Sequence, residues 1–227
     1  MRASVAQDER LELRARQSLG SSSDAIYRMV ASALRARGIA GGRVVDVGCG
    51  GGALWSLLRE DFSTYCGVDV VRYDSFPPAH EFHLADLDRT EWPILLGQAD
   101  LVAAVETIEH LENPWAFMRA LVRIAKPGGW IVVTTPNQLS WLSLATLLAK
   151  RRFSAFQDSH FPTHRTALLE SDLCRLAGEN GLERVTVVYS EHGRVPLTAS
   201  HYPRAIAGLF PRALSDNLML IGKNPRD

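Results

Sequence analysis

Four acids of this sequence close short β-branched runs: Asp46 in "RVVDV", Asp69 in "YCGVDV", Asp86 in "HLADLD" and Glu106 in "LVAAVE". Between the first of these and "LWSLL" lies "GCGGG", where Gly48, Gly50 and Gly52 let a ligand approach the backbone and a following helix would offer unpaired N–H groups. Read from Gly48, "GCGGGA" has the G-x-G-x-x-G/A form of a dinucleotide-binding turn, with Asp69 about 20 residues further on as acceptor for ribose hydroxyls. Asp46 argues against that ligand. A pyrophosphate would meet a carboxylate at the turn meant to hold it, whereas a cation would be attracted there.

The ligand that reconciles both features carries an adenosine, like a dinucleotide, and positive charge in place of phosphate. S-adenosylmethionine, with its sulfonium and ammonium groups, has that make-up. On this reading Asp46, Gly48, Gly50 and Gly52 form the loop of the cofactor site and Asp69 accepts from both ribose hydroxyls. Asp86 receives the adenine amino group, and Leu87 packs against the ring. Open α/β sheets bind ligands at the carboxyl ends of their strands, so all four acids are expected to face one crevice.

Those placements require a particular scaffold. The runs "RVVDV", "YCGVDV", "LVAAVE" and "WIVVTT" alternate with helix-like stretches such as "LWSLLRE" and "WAFMRALVRIA", which is the rhythm of βαβ units in an α/β, doubly wound, Rossmann-like domain. Ahead of the first strand, Ser23 or Asp24 can cap a helix running through "AIYRMVASALRAR" to Gly38. The turn "KPGG" is expected to end a helix and feed the fifth strand, because Pro127 forbids helix continuation. Further on, "LLESDLCRLAGENG" reads as a helix, and "ERVTVVYS" and "SDNLMLIGKN" read as the last strands. A single domain over 1–227 is expected. It comprises an N-terminal lid and helix (1–40), a cofactor-binding core (41–137), an acceptor-pocket insertion and helix (138–180) and the final strands (181–227).

Composition narrows the partners. Twenty-five basic residues balance 25 acidic ones in 227, with 46% hydrophobic, so no global field draws in a polyanion and nucleic acid is not an expected partner. Three scattered cysteines without metal-ligand spacing, and a start lacking an apolar signal core, lead to a cytoplasmic expectation.

The chain resembles the class I S-adenosylmethionine-dependent methyltransferases, from about Tyr27 to Lys223. "VVDVGCGGG" is similar to their cofactor loop, "GVD" to their ribose-binding strand end, "KPGGWIVVTTPN" to their fifth strand with its turn, and "SDNLMLIGK" to their final antiparallel strand. "VETIEHLENP" together with "TTPN" most resembles the branch holding the ubiquinone-biosynthesis O-methyltransferases and many glycan or natural-product methyltransferases. The resemblance implies a seven-stranded, mostly parallel sheet with one antiparallel strand. It also implies S-adenosyl-L-methionine as cofactor, S-adenosyl-L-homocysteine as product, and a small-molecule acceptor methylated on oxygen. A non-catalytic S-adenosylmethionine- or nucleotide-binding module is the alternative, with an NAD-dependent oxidoreductase behind it, disfavoured by Asp46.

Several residues carry two readings. In the ubiquinone branch a Glu-x-x-Glu-His arrangement is associated with a divalent metal, and the matching positions are Glu106, Glu109 and His110. The reading favoured is metal-free, with Glu106 near the methionine end of the cofactor and His110 as the general base facing the acceptor. Tyr27 is expected to reach the cofactor from the N-terminal helix. His160 and His164 are read as acceptor-pocket residues, because Pro162 between them opposes a helix. Trp141, Leu144, Leu147 and Leu148 at helical spacing read as a core-facing helix ending in Lys150, Arg151 and Arg152; the sharper alternative makes 140–156 a peripheral membrane contact.

Overall fold

The computed structural model describes Leu13, Ala15, residues 20–89 and residues 97–225. Most of the expected lid's first 20 residues lie outside that set. Seven strands form one sheet in the order β3-β2-β1-β4-β5-β7-β6: β1 (Arg43–Val47), β2 (Thr64–Asp69), β3 (Glu81–Leu84), β4 (Ala99–Ala104), β5 (Ala125–Pro136), β6 (Glu183–Tyr189) and β7 (Asn217–Lys223). β7 runs antiparallel to both β5 and β6, and the remaining pairs are parallel. The expected α/β architecture with one antiparallel strand is present. The chain order reverses at β1/β4, which places the crevice beyond the carboxyl ends of those two strands.

Helices cover both faces, and strand alternation decides what each face buries. Val44, Leu101, Val132 and Ile221 point to the side of α1 (Asp24–Ala36) and α2 (Ala53–Leu58). Val45, Val47, Val102, Ile131 and Leu220 point to α3 (Pro114–Ile124) and α5 (Glu170–Glu179), where Phe117, Leu121, Leu173 and Leu176 are buried. α1 presents Ile26, Tyr27, Val30 and Leu34 as one stripe, as a 3.6-residue period requires. Ser23 occupies the N-cap of α1 without a side-chain cap bond; a side-chain cap does form at α3, where Asn113 Oδ1 accepts from Ala116 N at 2.9 Å with Pro114 at the first position.

Two local expectations are corrected. "KPGG" is not a turn ahead of β5 but an excursion inside it. The pairing passes from Ala99↔Ala125 to Leu101↔Trp130, so β5 takes up three more residues than β4 over the same step. The helix α4 (Trp141–Lys150) does form, but it does not face the core: Ser143 is its one buried residue. Both sheet faces are already filled by α1, α2, α3 and α5. A short helix α6 (Arg204–Ala207) follows β6.

Candidate active site

A cavity of about 410 Å³ opens at the carboxyl ends of β1, β2 and β4, within the range of about 300–1,000 Å³ common for small-ligand sites. Among the described residues its walls carry five acids, Asp69, Asp86, Asp88, Glu106 and Glu109, and no Lys or Arg. Gly48 and Gly50 line it beneath residues 20–23 and Tyr27. The loop is built by internal hydrogen bonds. Gly48 and Cys49 donate to Val68 O (2.7 and 3.3 Å), Gly51 to Gly20 O (2.9 Å), and Gly52 to Cys49 O (2.9 Å). Gly50 N donates to Asp69 Oδ2 at 2.8 Å. Every N–H from Gly48 to Gly52 is therefore committed to a protein oxygen. A phosphate would face these acids with no Lys or Arg among the described lining residues to balance its charge, whereas a ligand bearing hydroxyl and amino donors and positive charge fits the acceptor set.

Gly50 sits at φ 51°, and a Cβ there would fall on the carbonyl of Gly20. A Cβ on Gly48 would fall on the Thr107 hydroxyl. Close approach is required, as expected, but it is approach of the loop to neighbouring protein. Asp69 is buried; Oδ1 accepts from Val70 N at 2.7 Å, and burial raises its pKa against those hydrogen bonds. Asp86 Oδ1 accepts from Asp88 N (3.0 Å), and Leu87 is buried beside it on the cavity wall. Tyr27 lines the cavity, with its hydroxyl accepting from Ser22 N at 2.9 Å.

Two expected cofactor residues do not reach the cavity. Asp46 occupies a strand position whose side chain points, like that of Val44, toward α1 and α2, and Tyr65 Oη donates to its Oδ2 at 2.8 Å. Burial, and secondarily the charge of Asp69, lift its pKa to about 7 despite that bond. The four acids thus do not share one crevice: three line it and Asp46 lies behind the loop. Gly52 is the N-cap of α2 in a left-handed conformation, packed against Pro77.

At the far end the cavity is walled by Glu106, Glu109, His110, His160 and His164. Glu106 takes φ 50°, a costly conformation for a residue other than glycine, and two strands of the sheet hold it there. Its N–H donates to Thr134 Oγ1 (2.8 Å), whose hydroxyl donates back to Oε1 (2.8 Å), and Asn217 Nδ2 donates to Oε2 (2.8 Å). Burial still raises its pKa to about 7. Glu109 is fully buried, and neither carboxylate oxygen has a hydrogen-bond partner. Burial, reinforced by the charge of Glu106, holds its pKa well above the ordinary range.

His110 Nδ1 lies 2.9 Å from Thr163 O and His164 Nδ1 lies 2.7 Å from Ala155 O. A carbonyl only accepts, so both rings are assigned the Nδ1–H tautomer and carry their lone pair on Nε2. Burial lowers the His164 pKa, which keeps that ring neutral. The two rings meet edge to face with centroids 4.8 Å apart. Glu106 of the metal-candidate trio Glu106, Glu109 and His110 is not among the groups whose ligand atoms converge. Ligand atoms of Glu109, His110 and His164 do, all within 4.8 Å of one another.

Sequence reasoning missed Thr107, which lines the cavity and donates to Val47 O (3.3 Å), and the pair Thr134 and Asn217 that hold Glu106. It also gave Ser23 only a capping role and Ser21 and Ser22 none, whereas all three line the cavity. "TTPN" and "SDNLML" contained the signal, but nothing local pairs them with Glu106.

Comparison with known proteins agrees with this geometry. A family profile described as "Methyltransferase domain" matches residues 22–187. The chain is 28% identical over 156 residues to the ubiquinone biosynthesis O-methyltransferase of Thiobacillus denitrificans, covering 64% of this chain and 66% of that one. It is 33% identical over 126 residues to the protein of the same name from an Escherichia coli strain, covering 48% and 49%. The matches span about half to just under two thirds of those relatives' lengths. Two solved structures share the fold: an S-adenosylmethionine-dependent methyltransferase from Archaeoglobus fulgidus (TM-score 0.61, 19% identity, 87% of this chain and 94% of that one); and a Thermotoga maritima protein described as a possible histamine N-methyltransferase (TM-score 0.62, 18% identity, 97% and 95%). With the family profile spanning most of the chain and an acid-walled cavity at the β1/β4 switch point, this chain belongs to the class I S-adenosylmethionine-dependent methyltransferases, whose cofactor is S-adenosyl-L-methionine.

Proposed function

We propose that this protein methylates an oxygen of a small-molecule acceptor. The observation that carries the reading is the placement of His110, with its Nε2 lone pair fixed by the Thr163 carbonyl, in the same cavity as Asp69, Asp86 and Glu106. S-adenosylmethionine supplies a methyl group on a sulfonium, and its transfer to the acceptor oxygen leaves the neutral thioether of S-adenosylhomocysteine. The chain's own residues do the rest. Asp69 and Asp86 accept from the ribose and adenine donors, Glu106 opposes the positive methionine end, and His110 Nε2 takes the proton released by the acceptor hydroxyl. Holding acceptor and methyl in line supplies much of the rate. Incubation with S-adenosylmethionine and a panel of phenols and sugar alcohols, with S-adenosylhomocysteine and methylated product quantified, tests the reading. Binding without product from any acceptor would favour a non-catalytic module.

A second reading has its own observation, the buried carboxylate of Glu109, which has no hydrogen bond and whose Oε1 lies 3.9 Å from His110 Nε2, with His164 beside it. One carboxylate and two imidazoles suit zinc, iron or manganese better than magnesium, and an ion held by these three would lower the pKa of a bound acceptor hydroxyl. The metal-free reading predicts unchanged turnover in EDTA. Loss of activity, restored by zinc or manganese, would transfer His110 from base to ligand.

Two further outcomes concern the cofactor end. Asp69→Asn is expected to weaken S-adenosylmethionine binding by roughly 1–3 kcal/mol, because an amide offers one acceptor oxygen where the carboxylate serves Gly50 N–H and ribose together. Unchanged affinity in calorimetry would place the ribose elsewhere. For Glu106 the sign follows from its pKa of about 7. A cationic ligand favours the ionised carboxylate, so below that pH binding must also remove a proton. S-adenosylmethionine affinity should fall by up to about tenfold per pH unit below the pKa and level off above it, while S-adenosylhomocysteine, lacking the sulfonium charge, changes less. Parallel pH profiles for the two ligands would separate Glu106 from the sulfonium.

A further inference from the structure

A ten-residue helix whose only buried residue is Ser143 is out of keeping with the composition of α4, "WLSLATLLAK". Trp141 is 62% exposed, Leu148 is 86% exposed, and Leu144 lies open beside them. A second open apolar group, Ile206, Leu209 and Phe210, stands on α6 and the turn after it. The backbone joins the two groups: Trp141 N donates to Ala213 O at 2.8 Å, and Ala213 and Leu214 donate to Phe210 O at 3.1 and 3.0 Å. Scattered single apolar residues on a surface call for no explanation, but six large ones gathered on two adjoining segments do.

Charge is as unevenly placed as apolar surface. Residues 141–157 hold Lys150, Arg151 and Arg152 and no acid; residues 202–214 hold Arg204 and Arg212 and no acid, in a chain whose 25 basic and 25 acidic residues balance. Arg152 pairs with Asp158, and Arg212 with Glu170 at 3.2 Å, while Lys150 meets the neutral amide of Gln157 at 3.3 Å. An apolar face carrying an aromatic, rimmed by Lys and Arg, matches a bilayer interface with anionic headgroups: the apolar side chains enter the acyl boundary and the long basic ones reach the phosphates. A second copy is a poorer occupant, since a two-fold contact through this face would bring the basic rims together. Among the described residues no helix is long and apolar enough to cross a membrane, so the contact is a surface one.

We infer that α4 and the α6 segment form a docking face for anionic phospholipid membranes, with Trp141, Leu144, Leu148, Leu209 and Phe210 inserted and Lys150, Arg151 and Arg204 at the headgroups. This goes beyond the methyl-transfer reading and does not depend on it. The face continues into the site: Phe156 packs against the His164 ring at 5.4 Å, and His164 lines the cavity.

The test is co-sedimentation of the full chain with vesicles of phosphatidylcholine alone and of phosphatidylcholine mixed with phosphatidylglycerol. Binding to the mixed vesicles only is expected, weakening strongly between 0.1 M and 1 M salt as the screening length drops from about 10 Å to about 3 Å. Leu148→Glu, and separately Lys150→Glu with Arg151→Glu, should each weaken it by about tenfold or more. All of these side chains lie outside the cavity, so S-adenosylmethionine affinity should be unchanged in the same variants, which verifies folding. No sedimentation with either vesicle would overturn the inference, as would equal binding to both. Self-association of the chain that Leu148→Glu abolishes, without vesicle binding, would assign the face to a second copy, and retention by an acidic protein alone would assign it to that partner.

Discussion

Gly50→Val is expected to reduce S-adenosylmethionine affinity by more than about 100-fold while the protein still folds. Two costs coincide at this position. A β-branched residue at φ 51° is strained by roughly 1–3 kcal/mol. Its Cβ would also fall on the Gly20 carbonyl, so the segment over the cavity must lift and the Gly51 N–Gly20 O bond (2.9 Å) must break. Residues 20–23 would then no longer close the cavity they line. The route of damage is displacement of this covering segment; the valine itself need not project into ligand space. Gly38→Ala separates the two costs, because Gly38 also has a left-handed φ (64°) but no atom within 4 Å of its Cβ position. Calorimetry should show near-normal binding for Gly38→Ala and none measurable for Gly50→Val, with circular dichroism confirming a folded sheet in both. Wild-type titration should also show binding of S-adenosylhomocysteine. Normal affinity in Gly50→Val would mean that the covering segment contributes nothing to the site.

His110→Ala is expected to lower turnover by about 10²–10⁴-fold, the range for a lost general base, and to leave S-adenosylmethionine affinity nearly unchanged. The ring is held at one end by Thr163 O and packed edge-on to His164, which fixes its orientation in the cavity wall with Nε2 3.9 Å from Glu109 Oε1. Alanine removes the proton acceptor without touching Asp69, Asp86 or Glu106. The split between the two measurements is the informative part: loss of cofactor binding as well would indicate a structural role. A variant turning over at the wild-type rate would exclude His110 from proton transfer and from ligating a required metal alike.

The acids at the ends of β2, β3 and β4, and the glycine turn that follows β1, were legible in the sequence because each depends on local order: a strand, its last residue, and the break after it. The βαβ rhythm, the seven strands and the antiparallel β7 followed from the same periodicities and from likeness to a family. Which of those residues meet was decided by the fold. Asp46 sits one residue before the end of β1, and the two-residue alternation of a strand turns it toward α1 and Tyr65 instead of the cavity. Glu106 is set by Thr134 and Asn217, 28 and 111 residues away, partners that only the pairing of β5 with β7 brings beside it. His164 comes from a separate segment, and no spacing rule links it to the adjacent Glu109 and His110. The same apolar spacing in α4 would serve a buried helix or an exposed one. Its position became known only once four other helices were seen to fill both faces of the sheet, leaving the apolar side of α4 no core to enter.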